Sequence, residues 1–441
     1  MRTRLYNLWE KLRTTFWLVP ALMVSITLAT LVGLLNLDQN SQLNISKFVS
    51  FLEQLSPSGA RVILSTIAGS MITVAGTVFS ITIVTLTLAS NQFGPKLLRN
   101  FMQSTVNQVV LGSFISTFVY CLCALGTIEP AGKVGYVPSL SVNFAVVLAM
   151  FNVGILIYFI HHVSTSIQVE TVLSSVNKAL ISSIEDYFPE RSSESDSNAK
   201  GRGEETLVST TSGNSETVTA TGYGYLQAID KSAFESFARD NELTLKVEQK
   251  TGAYIASGML LVTIYYDKQL SNEICNQLRD AFLLGSERTS EQDVEYSIHQ
   301  LVAIAVRALS PGINDPFTAL ACIDYLGSVV CRIANREFPS ENSYNPQQQI
   351  LVIYKTVTFA GIVSAAFDEI RRYSLDKAEI LIRLLEVFHH SMTLCGDLEQ
   401  KDVLLRHAHR VHKSGLENLL EESDKQALDS QYQKILDQQK S

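Results

Sequence analysis

The sequence predicts an α-helical membrane protein with four transmembrane helices. These join a cytoplasmic α+β region, in which a small β module precedes a helical bundle. Three observations lead there. Four long apolar runs crowd the first 163 residues. Short strand-like segments turned at glycines follow at 223–270. Beyond them, apolar residues recur at helical spacing between short polar connections, as in a bundle.

The first run covers 16–35, behind a basic N-terminus carrying Arg2, Arg4, Lys11 and Arg13. About 20 apolar residues suffice to cross ~30 Å of hydrocarbon. The run is too long for the apolar region of a signal peptide and no cleavage site follows, so a retained helix is expected. The second run, 61–91, has no internal charge and is longer than a bilayer requires, so it must tilt or project. The third and fourth runs cover 104–128 and 140–160. Lysine and arginine near the helix ends set orientation. The N-terminus has four and the Lys96/Arg99 loop two, whereas the loops at 38–59 and 129–141 have one each. Both termini are therefore expected in the cytoplasm, with 1–163 as the transmembrane domain.

From 164 to 188 the helical pattern continues through Val169, Val172, Val176, Leu180, Ile184 and Phe188, and reads as a stalk leaving the bilayer. The stretch 189–222 is rich in Ser, Thr, Gly and Glu and poor in large apolar residues, which reads as a disordered linker. Strands are expected around 225–229, 243–248, 254–255 and 260–265, with a short helix at 231–240, as a barrel or sandwich-like module at 223–270. The bundle, 271–441, is expected to hold helices at 272–284, 290–309, 316–335, 357–373, 375–395 and 398–422, with a weaker one to 438. Residues 350–354 read as a short strand or the front of a helix.

Composition excludes several classes. The 441 residues carry a net charge of −8, which gives no global case for nucleic acid. Six scattered cysteines contain no C-x-x-C, so neither a disulfide framework nor a zinc site is indicated. Phosphate-loop, dinucleotide and nucleophile-elbow motifs are absent, as is His-Glu-x-x-His. Glu386-x-x-His389 is half of a di-iron motif without a second copy. No cofactor and no metal are expected. Asp368-Glu369 with Arg371-Arg372 reads as an ion-pair face, and His409 and His412 share a helix face that His407 does not.

Two sets of residues stand out. In the second apolar run, Thr66, Ser70, Thr73, Thr77, Ser80 and Thr87 fall on one face, with Gly69 and Gly76 beside them. Small and hydroxyl residues serve helix packing; in an oligomer they can also line a watery path. No Asp, Glu, Lys or Arg lies mid-membrane in any of the four runs, Arg61 sitting at the outer end of the second, which argues against proton-coupled transport.

The second set lies in 288–319. Ser290 with Asp293 resembles a capping box. Asp315 with Pro316 is an N-cap followed by proline at the first helical position. Between these starts, Ser310-Pro311-Gly312-Ile313-Asn314 forms a rigid turn. Arg288, Gln292, Asp293, Arg307, Ser310, Asn314 and Asp315 are the polar candidates there, for helix capping or for a ligand. A helix N-terminus attracts anions, but Asp315 as the cap already satisfies it.

The R-T-x-x-Q-D segment followed by R-A-L-S-P-G-I-N-D-P-F-T-A resembles the hallmark of a bacterial family of predicted membrane proteins known only as a domain of unknown function. The likeness extends over most of the chain, through the apolar runs, the Y-L-Q-A-I-D strand and the glycine-turned strands. It implies an inner-membrane location and no established activity. The expected function is an oligomeric, channel-like conduit with a cytoplasmic regulatory domain, its partners being the lipid bilayer and further copies of itself. The alternatives are a membrane-anchored sensor or scaffold and, last, an anchored enzyme using the Arg307–Asp315 region.

Overall fold

The computed structural model describes residues 17–40, 56–94, 105–128, 137–166, 168–190, 214–266, 272–290 and 292–440. The basic N-terminus, the Lys96/Arg99 loop and most of the 189–222 stretch lie outside them. The chain forms two compact units, Met1–Val172 and Leu173–Ser441.

The first unit holds four long apolar helices: α1 (Leu18–Asn40), α2 (Pro57–Phe93), α3 (Thr105–Gly126) and α4 (Ser139–Ser166). Ser56 caps α2 by accepting from Gly59 N, Pro57 opens its first turn, and Gly94 ends it at φ 95°. The 37 residues of α2 make it about 55 Å long. α3 is the most buried of the four and packs against the other three. At Gly112 a side chain would meet Pro20 Cα at 3.0 Å, so glycine lets α1 and α3 approach closely. The core runs through Leu64, Ala68, Tyr120 and Ala145 at one level and through Met71, Ala75, Phe114 and Phe159 at another.

Polar groups are also buried in this unit. Asn152 of α4 accepts from Ser113 Oγ at 2.5 Å and donates to Thr117 Oγ1 at 2.7 Å. Asp38 of α1 caps α4, accepting from Leu140 N at 3.1 Å and Ser141 N at 3.2 Å. The Tyr120 hydroxyl donates to Ser141 O at 3.0 Å. Inter-helix hydrogen bonds of this kind fix which faces of membrane helices meet.

α4 stops at Ser166, and α5 (Val169–Tyr187) is a separate helix. From Leu173 onward it belongs to the second unit, where the sequence reads a stalk leaving the bilayer. Its apolar stripe of Leu173, Val176, Leu180, Ile184 and Phe188 is fully buried. Phe188 stacks edge-on against Phe338, and its carbonyl accepts from Arg336 at 2.6 Å. Burying that stripe outweighs leaving the helix in solvent, because each large apolar side chain contributes about 1.5–3 kcal/mol.

The β region is larger than the 223–270 module and draws on distant segments. One sheet has the order β1 (Asn214–Thr219), β5 (Leu260–Tyr266), β3 (Thr244–Val247), β8 (Ile350–Ile353), β7 (Asn342–Tyr344); the other is β4 (Tyr254–Ile255), β2 (Gly224–Ile229), β6 (Phe282–Gly285). Strand β1 falls within the stretch read as linker; it is ordered by its antiparallel partner β5, from Asn214↔Tyr266 to Thr219↔Leu260. Among the described strands, only the pair of β3 with β8 is parallel. Helix α6 (Lys231–Asp240) and helix α7 (Asn272–Asp280) share the core of the two sheets, which includes Leu226, Phe234, Leu245, Val262 and Val352.

Six helices complete the unit: α8 (Val294–Ala308), α9 (Pro316–Ala334), α10 (Phe359–Arg372), α11 (Ala378–Leu394), α12 (Leu398–Asn418) and α13 (Glu422–Lys440). α9 is also apolar and long enough to cross a membrane by length and composition, as α1 to α4 are. Ion pairs tie it to the second unit, Asp324 with Arg383 at 3.6 Å and Arg332 with Glu185 at 2.5 Å.

Candidate functional site

The hydroxyl stripe of α2 points away from the rest of its unit. Ala60, Leu64, Ala68, Met71, Ala75 and Val78 form the packed face, whereas Thr66, Ser70, Thr73, Thr77, Ser80 and Thr87 are all exposed on roughly the opposite side. The stripe therefore packs against no other described helix of its own chain. Most of its hydroxyls bond back to the preceding turn: Thr66 to Val62 O at 2.7 Å, Ser70 to Thr66 O at 2.8 Å, Thr73 to Gly69 O at 2.8 Å, Thr77 to Thr73 O at 3.1 Å and Thr87 to Ile83 O at 2.9 Å. A side chain added at Gly69 or Gly76 would meet nothing within 4 Å.

The 288–319 candidates separate into two groups at opposite ends of α8, whose 15 residues span about 22 Å. The first group is Arg288, Gln292 and Asp293. Helix α8 starts at Val294 rather than Ser290, because Asp293 is its cap and accepts from Tyr296 N at 3.0 Å. The other carboxylate oxygen of Asp293 holds Arg288 Nη2 at 2.6 Å and Nε at 2.8 Å. The Arg288 guanidinium lies 5.6 Å from the Tyr296 ring centroid. Burial holds the Asp293 carboxyl above the usual carboxylate range, with Arg288 and the Tyr296 N–H opposing.

Gln292 completes this clasp through its side-chain amide. Its amide oxygen accepts from Ile229 N at 3.0 Å and its amide nitrogen donates to Ile229 O at 3.4 Å, at the end of β2. The turn before β4 closes over the top. Thr251 Oγ1 donates to Gln292 O at 2.5 Å, and Lys250 pairs with Glu295 at 2.8 Å. Gly252 adopts φ +84°, and a Cβ there would lie 2.0 Å from Asp293 Oδ2. The group fastens α8 to the three-stranded sheet.

The second group lies beyond the other end of α8. Asp315 caps α9, accepting from Thr318 N at 3.1 Å and from Thr318 Oγ1 at 2.5 Å, while its own N–H reaches Ala308 O at 2.8 Å. Ser310 Oγ donates to Arg307 O at 2.6 Å. Asn314 takes φ 49°, and Asn314 N donates to Ser310 O at 2.9 Å. Two apolar side chains at this turn and the start of α9 are bare: Phe317 is 81% exposed and Ile313 43%.

Several polar contacts have no counterpart in the sequence pattern. The Asn152–Ser113–Thr117 cluster and the Asp38 cap join helices far apart in the chain. On α10, Asp368 faces His407 of α12 at 3.4 Å, and Ser364 Oγ lies 3.4 Å from the other ring nitrogen. Periodicity places Ser364 and Asp368 on one helix face; their meeting with His407 has no local signal. His412 pairs with Asp429 at 2.9 Å and His409 with Tyr432 at 3.2 Å, fastening α13 to α12. Among the described residues no group of three or more His, Cys, Asp or Glu could hold a metal ion.

The long apolar helices α1 to α4, each long and apolar enough to cross a bilayer, define a membrane protein. The chain belongs to the family described as predicted membrane protein, DUF2254, whose pattern matches residues 13–390. It is similar to uncharacterized protein MT1328 of Mycobacterium tuberculosis strain CDC 1551, with 29% identity over 430 residues, covering 96% of this chain and 81% of the relative. Uncharacterized protein Mb1321c of Mycobacterium bovis matches with the same identity and coverage. No solved structure matches.

Proposed function

We propose that the chain is a homo-oligomeric, channel-like conduit of the bacterial inner membrane, with the unit from Leu173 onward as its cytoplasmic regulatory part. In this reading α1 to α4 cross the bilayer and both termini are cytoplasmic, as the lysine and arginine distribution favours. The apolar α9 is assigned to the cytoplasmic unit, because its ion pairs to Arg383 and Glu185 fit an aqueous bundle.

The observation that carries the proposal is the outward hydroxyl face of α2. A row of six exposed Ser and Thr residues that no other described helix of its own chain covers suits the interior of a ring of copies. Gly69 and Gly76 leave room beside it for the α2 of a neighbour. A pore lined by hydroxyls needs no charged ring to pass small solutes or ions.

One observation favours an anchored sensor or scaffold instead. The hydroxyls that bond back to their own helix need no water, which would also suit a lipid-facing surface. Native mass spectrometry in nanodiscs and solute efflux from proteoliposomes separate the two. A conduit gives a ring of three or more copies and an efflux that the Thr73→Leu/Thr77→Leu double variant abolishes. A monomer or dimer, or efflux indifferent to the double variant, rejects the conduit and leaves the anchor.

A further inference from the structure

The seam between α10 and α12 concentrates polar groups that the clasp and the membrane helices do not use. Ser364 and Asp368 lie one turn apart on α10, and His407 faces both from α12. The His407 side chain is 8% exposed and that of Asp368 24%. His407 Nδ1 lies 3.4 Å from Asp368 Oδ1, and His407 Nε2 lies 3.4 Å from Ser364 Oγ. A carboxylate only accepts, so Asp368 selects the tautomer with the proton on Nδ1. Nε2 is then a lone pair directed at the Ser364 hydroxyl.

Three details set this group apart from ordinary helix packing. Ser364 makes no bond to its own helix; other helical hydroxyls of this unit, such as Ser183 and Ser236, bond back to a carbonyl of the preceding turn. Ser364 and its neighbours on α10, Ala360, Gly361 and Ala365, are only partly buried, and the three neighbours are small. The seam also holds two buried atoms without a hydrogen-bond partner, Asp368 Oδ1 and Arg371 Nε. Such atoms are rare in folded proteins and call for an explanation. The Asp368–His407 contact, at 3.4 Å, is not a formed hydrogen bond and would tighten once the ring gains a proton, as catalytic contacts do on substrate binding.

We propose that Ser364, His407 and Asp368 form a nucleophile-activating relay that accepts an acyl group from a carboxylic ester. Ser364 Oγ attacks the ester carbonyl carbon while its proton passes to His407 Nε2. The bond to the alkoxide breaks, and the alkoxide takes that proton and leaves as an alcohol. Water then attacks the acyl-serine, giving its proton to Nε2. Ser364 departs, recovers the proton, and a carboxylic acid is released. Asp368 is the positioning residue, holding the ring and its tautomer. Arg371, Arg406 and Arg410 on the same seam outnumber Asp368 and Asp402, which favours an ester that carries negative charge.

The ring is kept neutral, as a base must be. Burial lowers the affinity of His407 for a proton; Asp368 opposes this, and Arg410, Arg371 and Arg406 add to it. From α11 the uncharged Phe388 faces the ring, 6.2 Å away between centroids.

The test uses the full chain in detergent micelles and a fluorophosphonate probe, with the adduct located by peptide mass spectrometry. The Ser364 oxygen displaces fluoride from phosphorus and its proton passes to His407, so no knowledge of the natural ester is needed. The expected result is an adduct on Ser364 that Ser364→Ala removes. Its rate should rise with pH as His407 loses its proton, and should fall at least tenfold in Asp368→Asn. The pH profile is read on the unaltered chain, so it does not depend on how a variant folds. No adduct on Ser364 in folded protein, or an adduct whose rate is flat with pH, overturns the proposal and leaves polar packing only.

Discussion

Two glycines with the same backbone angle test the clasp at the start of α8. Gly252 and Gly258 both take φ +84°. An L-residue in this region costs about 1–2 kcal/mol. Their surroundings differ. A Cβ at 258 meets nothing within 4 Å, whereas a Cβ at 252 lies 2.0 Å from Asp293 Oδ2 and 2.9 Å from Arg288 Nη2. Asp293 cannot step aside, since it is buried, caps Tyr296 N and holds Arg288. Gly252→Ala must therefore displace a buried ion pair, which costs about 3–5 kcal/mol more. At about 2–4 °C per kcal/mol for a unit of this size, Gly252→Ala should lower the melting temperature by roughly 10 °C or more, and Gly258→Ala by only about 2–8 °C. The readout is the near-UV circular dichroism of tyrosine in the full chain; both tryptophans, Trp9 and Trp17, precede the second unit and do not report on it. Equal shifts for the two variants would refute the clasp as a tightly packed element.

Three further outcomes follow from the same geometry. Asn152→Leu removes two buried inter-helix hydrogen bonds, so heat-induced aggregation of the detergent-solubilised protein should begin earlier, by the equivalent of about 1–2 kcal/mol. Asp38→Ala leaves the first turn of α4 uncapped and should cost about 1 kcal/mol in the same assay. His407 binds a proton less readily folded than unfolded, so its contribution to stability is complete above 6.5 and is lost as pH falls below that value. Urea unfolding at pH 7.5 and pH 5.5 should show this loss, and His407→Gln should reduce it.

Much of the architecture is legible in the sequence because the signals are local. Apolar length marks the positions of α1 to α4, and the Asp315-Pro316 pair fixes the start of α9. Local pattern puts the start of α8 too early, at Ser290. Asp293 wins because its buried carboxylate satisfies Tyr296 N and Arg288 together, and no local pattern signals that burial. Residues 282–284 read as the end of a helix, but β6 pairs with β2 through Tyr225↔Gly285 and Ile229↔Phe282, and that pairing settles its conformation. Likewise, β1 is polar enough to read as linker and is a strand only because β5 lies beside it.

The candidate residues divide in the same way. That Thr66, Ser70, Thr73 and Thr77 share a face follows from 3.6 residues per turn and needs no tertiary structure. Which way the face points is decided by where α1, α3 and α4 pack, on the side of Ala68 and Ala75. Arg288 and Asp293 are near in sequence and meet; Arg307 and Asn314 belong to the same conspicuous stretch and are held apart by the length of α8. Ser364 and His407 are 43 residues apart and meet only because α10 and α12 pack together. Sequence by itself determined the periodic properties of each element, since these arise within a turn or two of chain. Tertiary structure decided which faces are covered and which side chains converge, since those depend on partners that no local pattern encodes.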